Sequence, residues 1–154
     1  MVKCVKGNLL DSDCTYICHQ VNCQGAMGSG IAKQIRERWP EVFSSYRSYY
    51  MRFLGNTSSL LGNIWGVKIN DTQWVVNMFS QDNFGYDGSR FTSYDAFAEC
   101  LIAMRDRFSK GKTIGFPKNI GCGLGGGNWK VISALIEEIL GKDFDVYIYE
   151  LEDA

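Results

Sequence analysis

The chain has 154 residues, 45% of them hydrophobic and 21% charged, which is enough for one packed domain and excludes extended disorder. Sixteen basic residues against 17 acidic ones leave a formal net charge of −1, which excludes the broad positive footprint of a dedicated nucleic-acid binder. A single domain over residues 1–154 is expected, too short to divide into two.

Val2 to Val5 reads as a short strand that stops at Gly7-Asn8-Leu9-Leu10-Asp11. Thr15 to Val21 is the next strand, apolar on both faces apart from His19 and Gln20, as expected of a central strand covered on both sides. It runs through a glycine-rich stretch into a helix with Ile31, Ala32, Ile35 and Trp39 on one face, which Pro40 ends. Pro40 also suits the opening of a tyrosine-rich helix over 41–51, whose aromatics are expected under the first helix. Residues 60–69 and 74–79 read as two strands joined by a turn at Asn70-Asp71, an antiparallel pair. Residues 81–90 form a loop beside a strand end, and Phe79, Phe84 and Tyr86 read either as aromatics that cover a ligand or, equally, as core and surface aromatics of that loop. The stretch 93–108 is a helix with Tyr94, Phe97, Ala98, Leu101, Met104 and Phe108 on its buried stripe. A strand at 113–116, a second glycine loop at 117–127, a helix at 129–140 capped by Asn128 and ended by Gly141, and a strand at 146–149 complete the chain. Strands alternate with helices at both ends and pair directly in the middle, which predicts an α/β fold, a three-layer α/β/α sandwich with a mixed central sheet.

Two stretches carry chemistry. In the first, Gly25, Gly28 and Gly30 permit close backbone approach, and the free N–H groups of the helix opening at Ser29 to Ala32 point at whatever binds there. The second, Asn119 to Asn128, repeats that layout, so two loops suit one diphosphate gripped from both sides. Gly121-x-Gly123-x-x-Gly126 formally matches a dinucleotide fingerprint, but the chain after it holds one helix and one strand, too little for the second half of a Rossmann enzyme. No apolar run approaches the roughly 20 residues that span a bilayer, and Met1 to Lys6 lacks the core of a signal peptide. A cytoplasmic protein with reduced thiols is therefore expected, without membrane contact. With one histidine and no Cys-x-x-Cys, neither a metal site nor a cofactor is expected. Lys33, Arg36 and Arg38 read as a solvated helix face.

Gly7-Asn8-Leu9-Leu10, then Asn22-x-x-Gly25-x-x-Gly28-x-Gly30-Ile31-Ala32, then Gly121-Cys122-Gly123-Leu124, then Tyr149-Glu150-Leu151 resemble a macrodomain from end to end. The branch they resemble holds ADP-ribose-1″-phosphate phosphatases and the terminal ADP-ribose protein glutamate hydrolase, where a histidine likewise stands three positions before the Asn22 site. The resemblance implies ADP-ribose as ligand, with Asn8 and Leu9 at the adenine and Leu151 closing over it. It implies Gly28, Ser29, Gly30, Ile31 and Ala32 opposite Gly121, Cys122, Gly123, Leu124 and Gly125 around the diphosphate, and Asn22 on the distal ribose. Nucleic acid is expected only as an ADP-ribosylated substrate, and the chain is expected to be a monomer.

The match fails at the catalytic pair. Where the glutamate hydrolase has an aspartate after Gly-Cys-Gly-Leu this chain has Gly125, and the lysine position falls on Ser80 or Gln81. Hydrolysis of the 1″-phosphate or of an ADP-ribosyl linkage would then use a water positioned by the diphosphate, Asn22 or His19, the two candidate catalytic residues. The alternative is a non-catalytic module that reads ADP-ribose. For His19 the ordinary reading, a core histidine that props the loop, is preferred, and Cys122 reads as a packing residue because no second histidine is available to activate it.

Overall fold

A computed structural model describes residues 1–83, 90–123 and 125–152. Strands β1 (Val2–Lys6), β2 (Tyr16–Asn22), β3 (Ile64–Lys68), β4 (Trp74–Gln81), β5 (Thr113–Pro117) and β6 (Asp145–Glu150) form one sheet in the order β1-β6-β5-β2-β4-β3. All neighbours run parallel except β3 against β4, so β3 is an antiparallel edge on a parallel sheet. The helices are α1 (Gly30–Arg38), α2 (Pro40–Met51), α3 (Tyr94–Arg107) and α4 (Trp129–Leu140).

The mixed sheet lies between two helical layers, as the alternation of strands and helices predicts. One core joins α3 and α4 to Cys18, Val76, Met78, Ile114, Phe116, Val146 and Ile148. The other joins α1, α2 and the 3-10 turn Leu9–Asp11 to Ile17, Val21, Val75 and Phe79 on the opposite face. Because successive strand residues point to opposite faces, Cys18 and Val21 of β2 serve different cores, which is why that strand carries apolar residues on both faces, with His19, Gln20 and Asn22 as its polar positions.

Helix boundaries follow the local signals. Ser93 and Asn128 accept from Ala96 and Lys130 backbone N–H groups as N-caps of α3 and α4, and Gly141 caps the C-terminus of α4. Two expectations change. The aromatics of α2 pack mainly on the sheet, Tyr46 stacked on Phe79 at 5.6 Å and Tyr49 on Trp65 at 4.2 Å between ring centres. The strand expected from residue 60 begins at Ile64, since Leu60, although fully buried, accepts its place in a 3-10 turn through its N–H to Thr57 O at 3.0 Å. All six cysteines are free, and no helix among the described residues is long and apolar enough to cross a membrane.

Candidate functional site

The loop after β2 is organised by one side chain. Asn22 Oδ1 accepts from Gln24 N at 3.0 Å, Ala26 N at 3.4 Å and Tyr46 Oη at 2.9 Å, while its Nδ2 donates to Ala26 O at 2.9 Å. Arg47 closes the turn from below by donating to Gly25 O, and a Cβ on Gly25 would lie 2.8 Å from that guanidinium and from the Tyr50 ring. The loop thus delivers α1 with its first turn open: Ser29 makes no side-chain cap bond, and Lys33 N reaching Ser29 O is the first helical bond. The N–H groups of Gly30, Ile31 and Ala32 have no helical carbonyl within reach and carry the positive end of the helix dipole.

Those N–H groups border a cleft made of two chambers. The larger, about 460 Å³, is lined by the first loop, by Gln20, Asn22 and Gln81, and by the second glycine loop from Pro117 to Gly125. The smaller, about 360 Å³, is lined by Asn8, Leu9, Gln34, Tyr149, Glu150 and Leu151 among others. Gly30, Ile31, Pro117, Lys118 and Asn119 line both, so the open helix terminus stands where the chambers meet. Cβ atoms placed on Gly28, Gly30 and Gly123 meet nothing within 4 Å among the described residues, which means that side chains there would extend into the open space of the larger chamber.

The sequence-predicted residues distribute as follows. Asn22, Gly28, Ser29, Gly30, Ile31, Ala32, Gly121, Gly123 and Gly125 line the larger chamber, and Asn8, Leu9 and Leu151 the smaller. Leu9 is 3% exposed because a glycine at 115 makes room for it on β5, where a Cβ would lie 2.5 Å from Leu9 Cδ1. Asn8 Oδ1 already accepts from Leu10 N at 3.0 Å, so only its second lone pair and its Nδ2 are open to a ligand. Cys122 lines neither chamber: it packs against the α3/α4 core, its Sγ donates to Ile120 O, and burial raises its pKa, all contrary to a nucleophile or a contact residue. Leu124, Phe84 and Tyr86 lie outside the described residues.

His19, expected as a candidate catalytic residue, stands away from the cleft. It is fully buried on β2, opposite Asn77 of β4, and lines neither chamber. Asn77 Nδ2 donates to Trp65 O, which leaves its Oδ1 to accept from His19 Nε2 at 2.6 Å. The ring is therefore the Nε2–H tautomer with an unpartnered buried Nδ1, and burial lowers its pKa to about 4. It is a neutral strut between two strands, the ordinary reading of a histidine inside a strand.

A polar network missed by sequence reasoning holds the second loop. Gln20 Nε2 donates to Gln81 Oε1 and Thr92 Oγ1, both at 2.9 Å, its Oε1 accepts from Ser80 Oγ at 2.7 Å, and Thr92 Oγ1 donates to Gly121 O at 2.7 Å. Phe91 and Thr92 backbone N–H groups both donate to Gly125 O. A Cβ on Gly125 would overlap Thr92 Oγ1 and stand 2.7 Å from Gly121 O and 3.0 Å from Gln20 Nε2. The network occupies the space an aspartate at 125 needs, which is the physical reason for glycine there. The only sequence signal was Gln20 itself, a long polar residue in a strand otherwise built for burial.

Charge at the cleft is sparse. Among the described residues lining the larger chamber Lys118 is the one charged side chain, and the smaller adds Glu150. Glu150 accepts from Lys118 and Lys6, each at 2.7 Å, which lowers its pKa to about 2. No group of His, Cys, Asp and Glu among the described residues is placed to hold a metal.

No family model matches the chain. An uncharacterized 17.5 kDa protein of Enterobacteria phage T4 is 27% identical over 150 residues, 92% of each chain. The ADP-ribose 1″-phosphate phosphatase of Meyerozyma guilliermondii is 28% identical over 94 residues, 53% of this chain and 54% of that one. The DNA ADP-ribosyl glycohydrolase of Mycobacterium tuberculosis is 44% identical over 46 residues, 30% of this chain. The matched regions thus span about half the length of the phosphatase and 13% of the glycohydrolase. Among solved structures, the macrodomain of Mycobacterium tuberculosis DarG superposes with a TM-score of 0.77 at 25% identity, covering 97% of both chains. Thermosipho africanus DarTG in complex with ADP-ribose gives a TM-score of 0.79 at 20% identity over 98% of this chain and 41% of that one.

Proposed function

We propose that this chain, which has the macrodomain fold, binds ADP-ribose along the two-chambered cleft and hydrolyses a derivative that carries a group on the distal ribose. The observation that carries this reading is the uncapped N-terminus of α1 at the junction of the chambers. A ligand with a nucleoside at one end, a sugar at the other and a diphosphate between them puts its negative charge on those N–H groups. The adenine then enters the smaller chamber beside Asn8 and Leu9, with Leu151, 60% exposed, at its edge. The distal ribose lies in the larger chamber near Asn22 and the amides of Gln20 and Gln81.

The substrate group is the 1″-phosphate or an ADP-ribosyl linkage to a larger partner, in keeping with relatives named as a phosphatase and a DNA glycohydrolase. With no carboxylate, histidine or thiol among the described residues of the larger chamber, turnover proceeds through water held by the substrate's own phosphates and by Asn22, whose Nδ2 keeps one hydrogen free of the loop. The same sparseness favours a second reading, a module that holds ADP-ribose without turning it over. Phosphate release from ADP-ribose-1″-phosphate, and ADP-ribose release from ADP-ribosylated glutamate and ADP-ribosylated DNA, separate the two. Turnover of one of these by wild type, lost in Asn22→Ala while ADP-ribose affinity is retained, supports the enzyme; tight ADP-ribose binding with no turnover of any leaves the reader.

A further inference from the structure

Lys118 is the one cation among the described residues that line the cleft. It follows Pro117 at the end of β5, beside Gly30 and Ile31, and lines both chambers. Its backbone is fixed by Lys118 N donating to Tyr149 O at 2.8 Å, while its Nζ, on a flexible stem, is drawn away to Glu150. Glu150 is shared, one carboxylate oxygen to Lys118 and the other to Lys6. It therefore remains paired if Lys118 leaves. A diphosphate arriving at the junction with this arrangement unchanged would meet a carboxylate in the smaller chamber and a lysine already neutralised by it.

We infer that Lys118 is the cationic contact of the ligand's phosphates, and that Glu150, retained by Lys6, is the resting partner it leaves when the ligand enters. The inference rests on the reading of the cleft as an ADP-ribose site and adds the residue that senses the ligand's charge. The exchange makes affinity depend on the phosphates more than on the nucleoside, and makes Glu150 a modulator of binding that acts through Lys118.

Calorimetric titration with ADP-ribose and with adenosine, at two salt concentrations, tests it on wild type, Lys118→Met, Glu150→Gln and the double variant. These side chains are partly exposed, 36% for Lys118 and 41% for Glu150, and circular dichroism checks that the fold is retained. Lys118→Met is expected to weaken ADP-ribose about tenfold and adenosine less than twofold, and to flatten the salt dependence. Glu150→Gln should tighten ADP-ribose by about two- to fivefold, and that gain should vanish when Lys118 is also replaced. Carbon-13 NMR of the Glu150 carboxyl should show its low titration midpoint rising once ADP-ribose is bound. Equal ADP-ribose affinity and salt slope in wild type and Lys118→Met, or an unmoved Glu150 midpoint at saturation, overturns the inference while leaving the site intact. Absence of ADP-ribose binding by wild type overturns the site and the inference together.

Discussion

Replacing Gly125 by alanine adds one methyl group to the second loop, at a position the structure has filled. The new Cβ would overlap Thr92 Oγ1 and press on Gly121 O at 2.7 Å and Gln20 Nε2 at 3.0 Å. Backbone cannot yield cheaply, so the strain falls on Thr92, whose hydroxyl holds Gly121 O at 2.7 Å. Overpacking costs about 1–3 kcal/mol. Losing the Thr92 bond while its partners stay buried adds about 1 kcal/mol. A total of about 2–4 kcal/mol corresponds to a fall in Tm of roughly 5–12 °C for a chain of this size. Urea unfolding followed by circular dichroism should show a lower midpoint at unchanged m-value. Gly28→Ala is the control, since its Cβ meets nothing within 4 Å, and its stability should stay within about 0.5 kcal/mol of wild type. If Gly125→Ala unfolds with Gly28→Ala and wild type, the network does not fill that space and the reason given for glycine at 125 is wrong. The aspartate expected from the resemblance would suffer the same overlap, so restoring it needs changes at Gln20 and Thr92 as well.

Asn22→Ala removes four hydrogen bonds that shape the first loop and should cost about 2–4 kcal/mol by urea unfolding, whereas Tyr46→Phe, which removes a buried hydroxyl donating to Asn22, should cost about 1–2 kcal/mol. His19 is the chain's single histidine, and its folded pKa of about 4 lies below the ordinary 6.5, so below pH 6.5 the unfolded state binds a proton that the folded state refuses. Its contribution is present above pH 6.5 and is lost as pH falls, reaching about 3 kcal/mol near pH 4. The difference in urea stability between wild type and His19→Gln should therefore shrink over that window, and a constant difference would refute the neutral-strut assignment. Gly123→Glu places a carboxylate in the ligand path without steric cost to the fold, so ADP-ribose affinity should fall at least a hundredfold with Tm unchanged, by calorimetry and thermal unfolding of the same sample.

Much of the fold is legible because its signals are local. Asn128 and Gly141 bracket α4, Pro40 separates α1 from α2, and the two-faced hydrophobicity of β2 announces a central strand. The glycine loops are legible for the same reason, since backbone freedom is written at the residue that needs it, as at Gly25. The Gln20–Ser80–Gln81–Thr92 network is not, because its members sit on different elements and meet only through the pairing of β2 with β4. The sequence pattern puts His19 in a strand, but whether its ring faces the cleft or the core depends on register against Asn77. The pairing of Lys118 with Glu150 depends likewise on β5 lying beside β6.

Isothermal titration of the folded wild-type protein with ADP-ribose, alongside Gly28→Glu, tests whether the cleft between the two glycine loops holds ADP-ribose with its diphosphate on the open turn of α1. Wild type is expected to bind one equivalent in the micromolar range, about −8 kcal/mol, and Gly28→Glu not to bind while retaining its Tm. No heat and no thermal shift with wild type at millimolar ADP-ribose, or equal affinity in Gly28→Glu, would contradict it.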